Sequence, residues 1–186
     1  MTLSSTVPTY TGHTFLGWAT SASATSAKYS AGGAFNTDAD TTLYAVWRAN
    51  RYTVSYNANG GTGAPGSQTK THGTAITLST TKPTCEGYTF IGWSTDKTAT
   101  TAMYTSGSQY TENKNIELFA VWKANSYTVS FNANGGTNAP ESFVKLHGTP
   151  ATISTQVPSR TGYAFVGWAT SANATEAEYQ PGKKKK

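Results

Sequence analysis

Residues 116–122 read Ile-Glu-Leu-Phe-Ala-Val-Trp, and this stretch decides the fold. Apolar residues stand at successive positions in it, so both faces of an extended strand would be apolar. That pattern is typical of a central strand that is covered on both sides. Residues 43–47, Leu-Tyr-Ala-Val-Trp, repeat the pattern earlier in the chain. We therefore predict that each of the two stretches is the central strand of a small sheet.

The rest of the chain repeats together with this strand, at a fixed period. Trp18, Trp93 and Trp168 are 75 residues apart, with no insertion or deletion between the copies. Such a period is the signature of tandem repeats. Short linkers, Trp-Arg-Ala-Asn and Trp-Lys-Ala-Asn, end near residues 50 and 125. We therefore predict a partial repeat at 1–50 (the back part), a complete repeat at 51–125 and a partial repeat at 126–186 (the front part, with a Lys-rich end).

Besides the central strand, a complete repeat contains three more predicted strands. Alternating apolar residues at 127–131 indicate a half-buried strand that ends at the Asn-Gly-Gly turn of 134–136. A second strand is predicted at 143–147, and its counterpart at 68–72 is polar enough for a sheet edge. A third is predicted at 87–93, with a bulge at Gly92 that turns Phe90 and Trp93 to the same side.

The segments between the strands carry turn residues. The Ser, Thr and Pro of 79–83 predict a turn or a single helical turn, and 94–101 are predicted to be irregular. The fold class predicted from the sequence is therefore mainly β with little helix, in tandem repeats of about 75 residues.

Composition excludes several classes of function. Charged residues make up 12% of the chain, against about 25% in typical soluble proteins. Four of the fourteen basic residues are Lys183, Lys184, Lys185 and Lys186, and without them the net charge falls from +5 to +1. The remaining basic residues form no stripe interleaved with aromatics, so we expect no nucleic-acid partner. No apolar run reaches about 18 residues, so we expect no membrane insertion.

Three motifs in one order resemble the Listeria–Bacteroides repeat family, whose best-known member is the B repeat of internalin B. They are Tyr-Thr-Val-Ser-Phe-Asn-Ala-Asn-Gly-Gly at 127–136, Gly-Tyr-Thr-Phe-Ile-Gly-Trp-Ser-Thr at 87–95 and Leu-Phe-Ala-Val-Trp at 118–122. The resemblance covers the whole chain. It implies small β-grasp-like units, strung along secreted or wall-attached bacterial proteins as stalks or parts of adhesins. It carries over no catalytic residues.

The residues themselves indicate no enzyme, cofactor or metal. His72 and His147 are equivalent positions at predicted strand ends, and no Cys or acidic cluster stands at a metal-ligand spacing around them or around His13. Cys85 aligns with Tyr10 and with an Arg, so the repeat does not need a thiol there. No pair of carboxylates recurs between units, as a glycosidase would require. A Lys–Asn crosslink would need a buried Lys–Asn–acid trio, which the sequence does not indicate.

Large aromatic and aliphatic side chains are predicted to form the cores of the units, since each aromatic ring buries on the order of 150–250 Å². Stacking of the Trp and Tyr rings on sugars is the functional alternative. Burial of Trp18, Trp93 and Trp168 would argue against it. The predicted core residues are Phe15, Trp18, Trp47, Tyr52, Val54, Tyr56, Tyr88, Phe90, Trp93, Tyr104, Leu118, Val121, Trp122, Tyr127, Val129, Phe131, Phe165 and Trp168.

Two interpretations of the incomplete repeats stay open. The sequence is a window cut from a longer array, or copies of the chain complement each other. In the second case the central strand of one copy would complete residues 126–182 of the next and generate a head-to-tail filament. The possible donor residues are Leu43, Tyr44, Ala45, Val46 and Trp47. The four lysines depart from the repeat, which has polar and aromatic residues at the equivalent positions 108–111, and their origin stays open.

The function expected from the sequence is structural. We expect a non-enzymatic spacer repeat of an extracellular bacterial cell-surface protein or adhesin stalk, which assembles head to tail into filaments if copies complement each other. Its expected partners are neighbouring repeats or copies of itself. The alternative is an adhesion module that binds glycan or host protein through exposed aromatics.

Overall fold

The computed structural model describes residues 1–185, with only the backbone of Lys185. Its regular elements are all strands, and no helix is found in this part of the chain, which confirms the mainly β fold. The strands are β1 (His13–Ala19), β2 (Tyr44–Ala49), β3 (Arg51–Asn57), β4 (Gln68–Thr71), β5 (Ile76–Thr77), β6 (Tyr88–Ser94), β7 (Gln109–Tyr110), β8 (Ile116–Ala124), β9 (Ser126–Val129), β10 (Phe143–Leu146), β11 (Ala151–Thr152) and β12 (Lys184–Lys185).

The complete repeat is built on a four-stranded sheet with the order β4-β3-β8-β6. Strand β3 pairs antiparallel with β4 and parallel with β8. Strand β4 lies at the edge, as its polar sequence predicts. The predicted central strand, β8, lies between two neighbours, and its side chains Leu118, Ala120 and Val121 are almost fully buried. A strand that is apolar on both faces is thus enclosed on both faces.

The chain divides into two compact units whose boundary does not follow the sequence repeats. One unit comprises Met1–Pro83 and Gly92–Val121, and the other comprises Thr84–Ile91 and Trp122–Lys186. Each unit therefore contains one of the two places at which consecutive repeats follow each other, near residues 50 and 125.

The first repeat forms a two-stranded antiparallel sheet of β1 and β2. The register shifts between Phe15 and Gly17, which is the bulge predicted for the equivalent Gly92. Gly17 has a φ of +135°, and a Cβ there would lie 2.4 Å from the carbonyl oxygen of Tyr29. The bulge brings the rings of Phe15 and Trp18 together, with their centroids 5.1 Å apart.

The third repeat is less regular than the complete one. Its first strand, β9, has four residues where β3 has seven, and within the described residues it pairs only with β10. Residues 163–169, the counterpart of β6, form no strand. The backbone of β12 pairs with β11 just as β7 pairs with β5. The lysine end therefore continues the fold of the repeat, because backbone pairing does not require the side chains that the repeat has there.

The predicted core residues differ in burial. Trp93, Val54, Leu118 and Val121 are at most 1% exposed. Leu78, Tyr110 and Lys70, which the sequence does not single out, are equally buried. The half-buried predicted residues are Phe15, Trp18, Trp47, Tyr52, Tyr56, Phe90, Tyr104, Trp122, Val129, Phe131, Phe165 and Trp168.

Two residues of the predicted core are exposed and do not belong to it: Tyr88 is 37% exposed and Tyr127 is 47% exposed. Their rings lie near the imidazole of His147, with centroid distances of 5.2 and 6.4 Å. These tyrosines belong to a junction between repeats and not to the interior. Alternation along a strand cannot distinguish these two environments, since both are partly apolar.

A polar pair in the complete repeat is replaced by an aromatic pair in the third. The Tyr56 hydroxyl donates a hydrogen bond to Gln68 Oε1 and accepts one from the Ser79 N–H at 3.0 Å. Burial raises the pKa of Tyr56, so its hydroxyl stays protonated and able to donate. At the equivalent positions, Phe131 and Phe143 pack with their ring centroids 6.1 Å apart.

We expect Tyr56→Phe and Gln68→Phe to be coupled. Each single variant leaves a half-buried polar group short of a partner and should lower the free energy of unfolding by about 1 kcal/mol. The double variant reproduces the aromatic pair of the third repeat and should lose less than the sum of the two. Denaturant unfolding of the four proteins measures the coupling. Strictly additive losses would show that the pair does not act as a unit.

Candidate functional site

Consecutive repeats are joined through a single residue at each junction. Strand β2 ends at Ala49 and β3 begins at Arg51, so only Asn50 lies between them. Strand β8 ends at Ala124 and β9 begins at Ser126, so only Asn125 lies between them. We call the surroundings of Asn50 the first joint and those of Asn125 the second joint.

In the first joint, Asn50 makes three hydrogen bonds. Its N–H donates to the carbonyl oxygen of Gly12 at 2.8 Å, and its own carbonyl oxygen accepts from the N–H of His72 at 2.8 Å. Its Oδ1 accepts from the hydroxyl of Thr14, also at 2.8 Å. One linker residue thereby connects the turn before β1 with the end of β4.

The second joint repeats this arrangement one period later. The Asn125 N–H donates to the carbonyl oxygen of Gly87 at 2.9 Å, and the Asn125 carbonyl oxygen accepts from the His147 N–H at 2.8 Å. The Thr89 hydroxyl donates to Asn125 Oδ1 at 2.6 Å. The same three bonds at both junctions show that the joint is part of the repeat and not an accident of one linker.

A glycine and an imidazole meet in each joint. A Cβ on Gly12 would lie 2.1 Å from ring atoms of His72, and a Cβ on Gly87 would lie 2.1 Å from the ring of His147. Both glycines also have a positive φ, +72° and +76°. Only glycine satisfies both the backbone conformation and the close approach of the ring.

Aromatic side chains surround the two imidazoles. Nδ1 of His72 lies 3.1 Å from the Tyr52 hydroxyl, within hydrogen-bond distance. In the first joint the ring of His13, which stacks on Tyr10 at 4.0 Å, lies 5.7 Å from that of His72. In the second joint Tyr88 stands where His13 stands in the first. The histidines that the sequence places at strand ends therefore pack as joint residues.

Among residues 1–185 there is no group of three His, Cys, Asp or Glu side chains that could hold a metal ion. Cys85 is half-buried and is not in a disulfide. The structure also brings the buried Lys70 together with the exposed Asn113, whose Oδ1 accepts a hydrogen bond from the Lys70 ammonium at 2.7 Å. The sequence did not indicate this pair. The described hydrogen bonds of these two side chains include no carboxylate.

A second candidate site is an open cleft in the third repeat, lined entirely by residues 128–179. Its volume is about 960 Å³. One wall is formed by the β9–β10 side, including Val129, Phe131 and Phe143, and the other by the segment that contains Phe165 and Trp168. In the complete repeat, β8 lies between the equivalent segments, β3 and β6.

The possible donor strand is paired within its own chain. Tyr44, Ala45, Val46 and Trp47 lie in β2 and Leu43 directly precedes it. Tyr44 pairs with Ala19 and Trp47 with Phe15 across the sheet. The edge of β2 that faces away from β1 pairs with no other strand in the described part of the chain.

The joints went unrecognised in the sequence, although it contained a signal for them. Asn50 and Asn125, Gly12 and Gly87, and the two histidines all keep the period of 75 residues. Periodicity alone does not show that residues from three separate segments meet at one point, so the linkers looked like plain connections.

Comparison with known proteins gives one family and two relatives. The family model for the Listeria-Bacteroides repeat domain matches residues 1–46, 52–121 and 127–186. A protein of Evansella cellulosilytica, named as a Gly-rich membrane protein, is 36% identical over 167 residues, which is 89% of this chain and 19% of that protein. Another from the same organism, named as a membrane protein, is 37% identical over 136 residues, 73% of this chain and 20% of its own length.

This chain thus spans about a fifth of the length of the curated relatives that it matches. No solved structure matches it. Between residues 1 and 185 the structure contains no helix that is long and apolar enough to cross a membrane.

We expect Gly87→Ala to disrupt the second joint. The new Cβ makes the existing positive φ unfavourable, which costs about 1–2 kcal/mol of folding free energy. It also displaces the His147 ring, which costs roughly a further 1–3 kcal/mol. Gly162→Ala is the matched control, because Gly162 has a φ of +79° with nothing within 4 Å of its would-be Cβ. Denaturant unfolding should show the larger loss for Gly87→Ala, and hydrogen exchange should accelerate at the His147 amide in that variant alone. Equal losses would mean that the ring contact contributes nothing.

Proposed function

Because this chain belongs to the Listeria–Bacteroides repeat family, we propose that it is a non-enzymatic spacer segment of an extracellular bacterial surface protein, such as an adhesin stalk. The observation that carries the proposal is the repeated joint. A spacer needs a fixed direction from one repeat to the next, and three hydrogen bonds around a one-residue linker supply that direction. Repetition of the same joint then extends the chain.

The surface and the relatives support the same function. A chain with 12% charged residues and many short polar side chains offers few groups for a charged ligand. Two relatives are named as membrane proteins, and the match covers only about a fifth of each. A segment that extends a larger cell-envelope protein fits both observations.

Adhesion to a glycan or a host protein has weaker support. The alternative uses exposed aromatics, and burial of the repeated tryptophans argues against it: Trp93 is fully buried, and Trp18 and Trp168 are half-buried. The exposed aromatic rings are tyrosines. Tyr88 and Tyr127 lie at the second joint and Tyr10 at the first, whereas Tyr44 and Tyr163 lie outside the joints. Rings that pack on a joint are poorly placed to stack on a sugar.

We expect the first joint to be stiff, and distances between spin labels test this. One label at Thr20 and one at Thr69 span the joint, and a pair at Thr69 and Thr81 lies within the complete repeat; all three sites are exposed. In a Cys85→Ser background, double electron–electron resonance should give distributions of similar width for both pairs. Gly12→Ala should broaden only the pair that spans the joint. A broad distribution across the unaltered joint would contradict the spacer function.

We also propose that copies of the chain associate head to tail into filaments. Two sheet edges support this, because one could supply a strand and the other could accept it. They are the outer edge of β2 in the first repeat and that of β9 in the third, and neither pairs with another described strand. Unpaired edges of this kind add strands from other chains. Head-to-tail contacts that do not close into a ring propagate.

Sedimentation velocity from micromolar to millimolar concentration tests self-association. We expect the average sedimentation coefficient to rise steadily with concentration, since each added copy presents a new edge. A single monomeric species over the whole range would contradict the filament. It would leave the spacer function standing, because the joints lie within one chain.

A further inference from the structure

We propose that the first joint is acid-sensitive: protonation of the facing imidazoles of His13 and His72 loosens it, whereas the second joint, which has one imidazole, stays intact. The stiffness of the spacer at the first joint then depends on the pH of its surroundings. This inference rests on the proposed spacer function and adds a regulation of one of its joints.

The imidazole of His72 is fixed in the first joint by several contacts. A Cβ on Gly12 would lie 2.1, 2.1 and 2.3 Å from Cε1, Nε2 and Cδ2 of the ring, so the glycine backbone lies against the imidazole. Nδ1 of the ring lies 3.1 Å from the Tyr52 hydroxyl. The His72 N–H donates to the carbonyl oxygen of Asn50 at 2.8 Å. The ring therefore moves away from a neighbouring charge only by giving up contacts that form the joint.

A second imidazole, that of His13, is held close to the first. The two ring centroids are 5.7 Å apart, and the His13 ring stacks on Tyr10 at 4.0 Å. Nδ1 of His13 lies 3.0 Å from the carbonyl oxygen of Thr11. A carbonyl can only accept, so Nδ1 carries the hydrogen and Nε2 takes up the proton in acid. Both imidazoles are half-buried, so water and salt screen their charges from each other incompletely.

A buried cation lies near the two imidazoles. The ammonium of Lys70 is 5.9 Å from the centroid of the Tyr52 ring, whose hydroxyl contacts His72, and the Lys70 side chain is fully buried. The described hydrogen bonds of this ammonium go to Asn113 Oδ1 and to a backbone carbonyl, which are both neutral. A proton on either imidazole therefore adds positive charge to a place that already contains some.

The other charged groups of these segments do not offset that charge. Arg48 and Arg51, on either side of the linker residue, are exposed cations. Glu112, in the segment that contains Asn113, forms an ion pair with Lys114. The described contacts of the two imidazoles are to hydroxyl, carbonyl and aromatic groups, and none of them is a carboxylate.

The sign of the pH effect follows from like-charge repulsion. Two imidazolium ions at this separation repel each other, so the closed joint takes up protons less readily than an open one in which the rings are apart. Stability rises with pH wherever the open state binds more protons. The joint is therefore fully stable above the ordinary imidazole range, near pH 6.5, and weakens as the pH falls below it.

The second joint provides a comparison within the same chain. Tyr88 stands in place of His13, with its ring centroid 5.2 Å from that of His147, and a tyrosine stays neutral throughout this pH range. A charge on His147 therefore meets no second imidazolium among the described contacts of its ring. The variant His13→Tyr gives the first joint the side chain that the second joint has at this position.

Hydrogen exchange measured by NMR tests the inference at about pH 7.5 and about pH 5.5, on either side of the imidazole range. The amides of His72 and His147 each donate to a linker asparagine, so they report on the first and the second joint. After correction for intrinsic exchange, the protection of the His72 amide should fall roughly tenfold in acid, and that of the His147 amide should change less than about twofold. His13→Tyr should abolish the fall, and His13→Gln, which is also neutral, should do the same.

The spin-label pairs measure the consequence for the spacer. In acid the distance distribution between Thr20 and Thr69 should broaden, that between Thr69 and Thr81 should not, and His13→Tyr should keep both narrow. A distribution across the joint that is broad at both pH values would contradict the spacer function itself. If either measurement is unchanged by acid, or if both histidine variants respond as the unaltered chain does, this inference is overturned and the spacer function stands.

Discussion

The sheet of this protein depends on hydrogen bonding along both edges of one strand, β8. It pairs in parallel with β3, which precedes it by about sixty residues, and it also lies beside β6. Parallel pairing over such a separation closes a long loop and requires substantial burial to offset the lost chain entropy. The successive apolar side chains of β8 supply that burial on both faces. The last strand of the repeat therefore holds together strands that come earlier in the sequence.

The three copies of the repeat show this dependence within one molecule. The first repeat has a central strand but no preceding hairpin, and its β1 is a seven-residue strand with one bulge. The third repeat has the hairpin but no central strand, and the counterpart of β1 and β6 forms no strand at all. Since the aromatic segments are closely similar in sequence, their local preferences cannot explain the difference. The presence of a central neighbour does.

Much of the fold could be predicted from the sequence, because its signals are local. The central strand follows from its apolar run, the edge strand from its polarity and the bulge from a glycine inside a strand. The joints could not be predicted, because they bring together residues from three segments whose meeting depends on the folded chain. The exposure of Tyr88 and Tyr127 was missed for the same reason. Lys70 was missed because a buried lysine requires acceptors, here Asn113 Oδ1 and a backbone carbonyl, that only the tertiary structure provides.

Differences between the copies distinguish two constraints on the glycine of a joint, which are its positive φ and the close approach of the imidazole. Gly12, Gly87 and Gly162 all have a φ near +75°, so the turn before the aromatic segment requires glycine in every copy. In the first two an imidazole lies against the Cα, whereas Gly162 has nothing within 4 Å of a would-be Cβ. The turn therefore forms without the histidine, and the imidazole occupies a space that the turn already provides. The positive-φ turn that receives the imidazole is therefore a property of the repeat itself and does not depend on the histidine.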